Sequence, residues 1–266
     1  MLKIIVLAKQ VPDTRNVGPE AMTPEGTVNR AALPAVFNPE DLNALEQAIR
    51  LKEQNPGSTI TMLTMGLPKA AEVLREGLYR GADKGILLTD RALGGADTLA
   101  TSYTLAQAIK KVGEYDIILC GRQAINGDTA QVGPQVAEKL GLTQITYTEE
   151  ILECTKEKIV ARRHIDGGVE TVEAPLPIVV TVNGSAAPCR SRNVKRVMAN
   201  KQAEFTTWGA ADIDADPAQI GKAGSPTNVK AVKSIVFKAK ETKTLTSSDE
   251  DINNLMKELI ESNTIG

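Results

Sequence analysis

The stretch Asp116-Ile117-Ile118-Leu119-Cys120-Gly121-Arg122-Gln123-Ala124-Ile125-Asn126-Gly127-Asp128-Thr129-Ala130-Gln131-Val132-Gly133 decides the fold. Residues 116–120 are short and apolar, the pattern of a parallel strand covered on both faces. Residues 121–133 then carry Gly121, Gly127 and Gly133 and lead into a helix expected over about 131–140. A buried strand, a glycine-punctuated loop and a helix together make half of a βαβ unit.

Upstream the same alternation repeats. Residues 3–8 read as a strand, and residues 11–37 as a long ordered excursion containing Pro and Gly. Asn38-Pro39-Glu40-Asp41 is a helix start, with Asn as N-cap, Pro in the first turn and acids suited to the helix dipole. Leu42, Leu45 and Ile49 then recur at helical spacing as far as Lys52. Residues 59–65 read as a strand and 68–80 as a helix. Gly81-Ala82-Asp83 turns into a strand over 85–89, and a helix follows over 97–111. This order predicts an α/β fold with a doubly wound, mostly parallel sheet. Ligands of such sheets sit outside the carboxyl ends of the strands. The loops of interest are therefore Ala8 onward, Met65-Gly66-Leu67, 89–97 and 121–133.

Downstream the pattern changes. Residues 144–153, 158–164, 168–173 and 178–181 read as strands separated by turns such as Asp166-Gly167-Gly168, an antiparallel extension of the sheet. Residues 183–201 are polar and basic, with Arg190, Arg192, Lys195, Arg196 and Lys201, and read as an exposed loop. Residues 202–266 carry Pro217, Gly221, Gly224 and Pro226, one strand over 229–238 and one helix over 249–262. They are too thin for a core of their own and read as an arm that packs on a partner.

Composition narrows the chemistry. The chain has 266 residues, 42% of them hydrophobic, which is enough for a substantial core. A net charge of −2 argues against nucleic-acid binding, and 3% aromatics argue against base-stacking platforms. No apolar run reaches membrane-spanning length, and the N-terminal residues lack the pattern of a signal peptide. Cys120, Cys154 and Cys189 are odd in number and scattered, as expected of a reducing cytoplasm. His164 is the sole histidine, so no multi-histidine metal site is expected. It reads as a solvated or hydrogen-bonded strand residue, and Cys120 as a small buried hydrophobe. Any redox chemistry must come from a cofactor.

Two loops carry the binding chemistry. In 121–133 the glycines allow close backbone approach, and free N–H groups at the following helix start, with the Thr129 hydroxyl, make an anion site. The alternative is a long structural turn capped by Asp128 and Thr129. The second loop is Thr89-Asp90-Arg91-Ala92-Leu93-Gly94-Gly95-Ala96-Asp97-Thr98-Leu99-Ala100-Thr101. It brings a flexible Gly94-Gly95 pair and the polar Asp97, Thr98 and Thr101 to a helix start. Two facing glycine-rich loops suit a pyrophosphate. A Gly-Gly turn followed by an Asp cap is the alternative.

These motifs resemble the electron transfer flavoprotein β-subunit family. The resemblance rests on Ala161-Arg162-Arg163-His164-Ile165-Asp166-Gly167-Gly168-Val169-Glu170-Thr171-Val172 and Pro177-Ile178-Val179-Val180-Thr181. It is extended by Val6-Leu7-Ala8-Lys9-Gln10-Val11-Pro12-Asp13-Thr14, Asn38-Pro39, Gly81-Ala82-Asp83 and Gly121-Arg122-Gln123-Ala124-Ile125. It covers roughly residues 3–200 and implies an adenine-nucleotide α-hydrolase-like fold. Carried over by position, it implies nucleotide contacts at Leu7, Ala8, Asn38, Asp41, Met65 and 121–132, the last including Arg122, Gln123, Ala124, Ala130, Gln131 and Val132.

Ordinary members hold AMP, and members that bifurcate electrons from NADH hold FAD. Ordinary members lack a glycine-rich loop at 89–104. This chain has one, and Gly127 stands where AMP-binding relatives carry bulkier acids. The resemblance therefore implies FAD as cofactor and NAD(H) as substrate near Asp90, Gly94, Gly95, Ala96 and Asp97. The implied partners are a flavin-bearing α-subunit, an acyl-CoA or other flavin dehydrogenase, and ferredoxin or flavodoxin. A structural AMP and a purely regulatory nucleotide module are the alternatives.

Residues 1–184 would be the nucleotide-binding domain, 185–201 a partner-recognition loop, and 202–266 an arm on the α-subunit. In that loop Arg190, Arg192, Val194 and Lys195 are the expected partner contacts. The family's Pro-Arg-Tyr is replaced by Pro188-Cys189-Arg190-Ser191-Arg192-Asn193-Val194, leaving Val194 as the nearest apolar anchor.

Overall fold

Alternation along short β-branched strands builds two cores from one sheet. The computed structural model describes residues 1–13, 34–227 and 242–265. In β1 (Lys3–Leu7), Ile4 and Val6 pack on one face, Ile5 and Leu7 on the other. In β6 (Ile117–Gly121), Ile117 and Leu119 join the first face, Ile118 and Cys120 the second. The first face is covered by α1 (Pro39–Gln54) and α2 (Ala71–Arg80), through residues such as Leu45, Ile49 and Leu74. The second is covered by α3 (Thr98–Val112) and α4 (Val132–Leu140), through Leu105, Ile109 and Val136.

The remaining strands are β2 (Gln10–Pro12), β3 (Ala35–Phe37), β4 (Thr59–Met65), β5 (Lys84–Leu88), β7 (Thr143–Cys154), β8 (Lys158–Ile165), β9 (Gly168–Pro175), β10 (Ile178–Val182) and β11 (Thr206–Trp208). Two further helices are α5 (Val194–Asn200) and α6 (Asp249–Glu261). The main sheet runs β11-β5-β4-β1-β6-β10-β7-β8-β9. Its pairs from β11 to β7 are parallel, and β7-β8-β9 are antiparallel. The expected doubly wound sheet with an antiparallel extension is therefore present. Strand order reverses between β1 and β6, which makes their carboxyl ends the topological switch point.

The structure differs from the sequence reading in four places. Asn38 sits at the N-cap position of α1 but its side chain makes no cap bond. It is drawn instead to the 121–133 loop. The strand at 178–182 is not part of the antiparallel extension. It returns to the middle of the sheet, parallel to both β6 and β7, because its largely apolar side chains, all of them buried, need cover on both faces. Residues 183–201 are not all loop: α5 forms there, with Asn193 capping it through an N–H from Arg196.

The fourth difference concerns the arm. Part of 202–227 packs on this chain's own sheet. β11 adds an edge strand to β5, and Ile213 and Ile220 enter the second core. Among these residues a Thr-Thr-Trp triplet and two isolated isoleucines find partners that periodicity does not reveal. Only the ends of the expected 11–37 excursion are described, where β2 pairs antiparallel with β3. The expected strand at 229–238 lies outside the described residues. Among the described residues no helix is long and apolar enough to cross a membrane. The helix α6 exposes Ile252, Leu255, Met256 and Ile260.

Candidate functional site

The switch point is tied together by one carboxylate. Asp41, in the first turn of α1, accepts the Lys9 N–H at 2.8 Å and the Gly121 N–H at 2.9 Å. It thereby links the chain leaving β1 to the end of β6. A Cβ on residue 121 would stand 2.6 Å from Asp41 Oδ1, so this approach requires glycine. Burial pushes the Asp41 carboxyl up to about 7, against the pull of those two N–H groups. Burial likewise lowers the Lys9 ammonium, against the attraction of Asp41.

The same helix turn grips the 121–133 loop. Glu40 accepts the Gln123 N–H at 2.9 Å and pairs with Arg122 at 2.8 Å. Asn38 Nδ2 donates to Gln123 O at 2.9 Å, and its Oδ1 accepts the Ile125 N–H at 3.2 Å. Arg122 also lies 5.5 Å from the Tyr147 ring centre. Further along, Gln123 Nε2 donates to Asp128 Oδ1, and Lys9 Nζ donates to Asn126 Oδ1. Asp128 and Ala130 both take left-handed backbone, with φ of 48° and 52°. Such strain costs about 1 kcal/mol or more per residue and clusters where function demands it. A Cβ on residue 127 would meet nothing within 4 Å, so the protein's own packing does not require Gly127. Gly133 is the opposite case: a Cβ there would meet Thr181 Cγ2 at 2.6 Å and Cys120 Sγ at 2.9 Å. Cys120 is buried there, and burial raises its thiol pKa, so it packs as a hydrophobe.

The second loop faces the first. Asp97 caps α3 by accepting the Ala100 N–H at 3.0 Å, as its position suggests. Burial pushes its carboxyl up, but the Ala100 N–H and the Thr227 hydroxyl hold it below its ordinary value. Asp90 caps the short turn at 91–93 through the Ala92 N–H, which with the Ala210 N–H lowers its pKa. Gly95 has φ 74°, a left-handed conformation that explains the second glycine of the pair. Across the gap, Thr98 Oγ1 donates to Gln131 Oε1 at 2.8 Å.

Between the loops lies a cleft of about 440 Å³, within the usual range of ligand pockets. Leu7, Ala8, Asp41 and Met65 line it at the strand ends. Gly95, Ala96, Asp97, Thr98 and Thr101 line one wall, and Gly121, Arg122, Gln123, Ala124 and 127–132 the other. Asn38, Asp90 and Gly94 are not in the lining and act one layer back. Sequence reasoning missed Lys9, Leu63, Leu93 and Leu105 as lining residues. It also missed Glu40, whose carboxylate holds the Arg122 guanidinium and the Gln123 N–H. Glu40 was visible only as an acid suited to the helix dipole. His164 lies outside the lining, half exposed on β8 and 3.5 Å from Glu149.

The electron transfer flavoprotein domain matches residues 25–213, most of the chain. The chain belongs to the electron transfer flavoprotein β-subunit family. It is 46% identical to the electron transfer flavoprotein subunit beta of Clostridium acetobutylicum, over 86% of each chain. It is 45% identical to the caffeyl-CoA reductase-Etf complex subunit CarD of Acetobacterium woodii, again over 86% of each. It is 40% identical to the acryloyl-CoA reductase electron transfer subunit gamma of Anaerotignum propionicum, over 86% of each.

In this electron transfer flavoprotein β-subunit, the expected partner residues are unequally placed. Arg190 turns inward: it pairs with Glu46 at 3.0 Å and also engages Glu53. Arg192 pairs with Glu76 at 2.8 Å. Val194 and Lys195 begin α5, and Val194 is 77% exposed together with Met198 one turn on. The three cysteines are free, and among the described residues no group of side chains could hold a metal ion.

Proposed function

We propose that the chain is the β-subunit of a heterodimeric electron transfer flavoprotein that holds FAD in this cleft. It would exchange electrons between NAD(H), ferredoxin or flavodoxin, and an α-subunit flavin, in the service of a flavin dehydrogenase. One observation carries the reading: a single cleft runs between both glycine-containing loops, with open space where a Gly127 side chain would stand. Two facing loops of this kind suit a pyrophosphate better than a single phosphate.

The residues present fit that ligand. The start of α4 and the left-handed backbone at Asp128 and Ala130 offer N–H groups to a pyrophosphate. Thr98, Thr101 and Thr129 offer hydroxyls from both walls, and Lys9 brings positive charge to the strand ends. Leu7, Leu63, Leu93 and Leu105 give an apolar floor for a planar ring. When bound, the flavin supplies both hydride exchange and single-electron transfer. The chain's own residues orient it, shield it from water and set its surroundings. Gly94-Gly95 would leave a close approach for NAD(H).

The relatives' names support a dehydrogenase partner, since two of them name reductase complexes. The exposed Val194, with Arg192 and Lys195, offers the surface for it, and Arg190 holds that surface in place. The apolar stripe of α6 suits the α-subunit. The three free thiols suit a reducing, cytoplasmic site of action.

The test is the cofactor content of the purified αβ complex. Two FAD per heterodimer and bleaching of the flavin by NADH are expected. One FAD with one AMP, and no response to NADH, would overturn the reading in favour of a structural AMP.

A further inference from the structure

Two consecutive glycines, Gly94 and Gly95, lead into the 95–97 wall of the cleft. A strap formed by residues 219–227 fixes it from outside. The Lys222 N–H donates to Gly94 O at 3.0 Å. The Asp97 N–H donates to Ser225 Oγ at 2.8 Å, and that hydroxyl donates onward to Gly221 O at 2.7 Å. Thr227 donates to Asp97 Oδ2 twice, through its N–H at 3.2 Å and its Oγ1 at 2.8 Å. Ser225 is buried. At Gly221, φ is 52° and a Cβ would stand 2.0 Å from Ala92 O, so only glycine lets the strap lie this close. The strap is anchored in turn by Ile220, which shares the second core with Leu93 and Leu105.

We propose that this strap positions the ligand-binding wall, with Ser225 as its central positioning residue. Free of the strap, Gly94 and Gly95 would sample many backbone states, and binding would have to order them. Held by it, the wall is set in advance at the width of the cleft. The proposal rests on the reading above that this wall lines the dinucleotide site.

The experiment uses the αβ complex carrying Ser225→Ala, with Thr227→Val as a milder variant at an exposed position. Hydrogen exchange of the 94–98 amides reports the wall directly. Nucleotide content of the wild-type complex, measured first, reports the functional reading by itself. Ser225→Ala leaves the Asp97 N–H without its acceptor, so exchange there should rise about tenfold. The KM for NADH should rise about tenfold, with kcat changed much less, because ordering the wall is a binding cost. Thr227→Val should move both quantities in the same direction by less. Unchanged exchange in Ser225→Ala overturns the positioning role, and raised exchange with unchanged KM overturns its link to the ligand. Should Ser225→Ala fail to fold, Thr227→Val decides by the same two readouts. Should the wild-type complex hold AMP in place of the second FAD, the functional reading fails. The exchange data then still decide what the strap does.

Discussion

Thr98 and Gln131 close the cleft from opposite sides: the threonine hydroxyl of one helix start donates to the glutamine carbonyl of the other at 2.8 Å. The two residues stand at the openings of α3 and α4, which sit on the same face of the sheet. Neither loop alone would place its helix start against the other. Removing the bond with Thr98→Val should loosen the cleft by about 1 kcal/mol, or roughly fivefold in affinity. Faster release of bound nucleotide from the αβ complex is the expected result. An unchanged release rate would show that the bond is incidental.

Gly127 tests the size of the ligand. A side chain there meets none of the protein's own atoms, so Gly127→Glu should change thermal stability by no more than about 0.5 kcal/mol. Its carboxylate would instead occupy ligand space. Loss of the second flavin, with AMP bound in its place, is the expected outcome. Retention of two flavins would remove the steric argument for FAD.

Gly95 tests the opposite wall. Its left-handed backbone disfavours a β-branched residue, and an added side chain meets Lys222 at 3.4 Å. Gly95→Val should abolish NADH-dependent flavin reduction while the fold persists. Reduction at the wild-type rate would reduce the loop to a turn.

Asp41 gives a pH dependence of defined sign. Its carboxyl is raised from 3.8 to about 7 in the folded chain, chiefly by burial. The folded state therefore binds this proton more tightly than the unfolded state. The resulting stabilisation is fully present below about pH 4 and is lost as pH rises towards 7. Relative to Asp41→Asn, the wild-type chain should lose stability more steeply across that window in urea titrations. Parallel profiles would contradict the buried, proton-binding state of Asp41.

Glu46 tests the stem of α5. Its side chain is buried and bonds Arg190 through both the guanidinium and the backbone N–H. Removing it leaves the Arg190 guanidinium, about one-third exposed, with Glu53 alone and its backbone N–H without an acceptor. Glu46→Ala should cost about 2 kcal/mol and open 185–201 to protease. Protection equal to wild type would mean that the pair is dispensable.

The alternation of strand and helix is legible because β1, β5, β6 and β10 are short, largely apolar runs and α1 to α4 each bury one side. Thr59–Met65 could be bounded to the residue on that basis. The carboxyl-end rule then points to the loops that line the cleft. What stayed hidden were side chains whose partners lie far along the chain. Asn38 has the signature of a cap, but Gln123 and Ile125, some 85 residues on, compete for its amide and win. Arg190 looks like a surface cation, yet two acids of α1 take it inward. The strap was invisible for a similar reason: Lys222 reaches Gly94 through its backbone, where any residue but proline would do. Glycines were more informative, since Gly121, Gly133 and Gly221 each mark a close approach of backbone to another element.

The apolar stripe of α6 bears on how the cell must make this protein. Ile252, Leu255, Met256 and Ile260 leave a contiguous greasy patch on one helix of the lone chain. Copies made in excess would stick to one another or fall to proteases. The solubility of the chain then depends on that patch being covered.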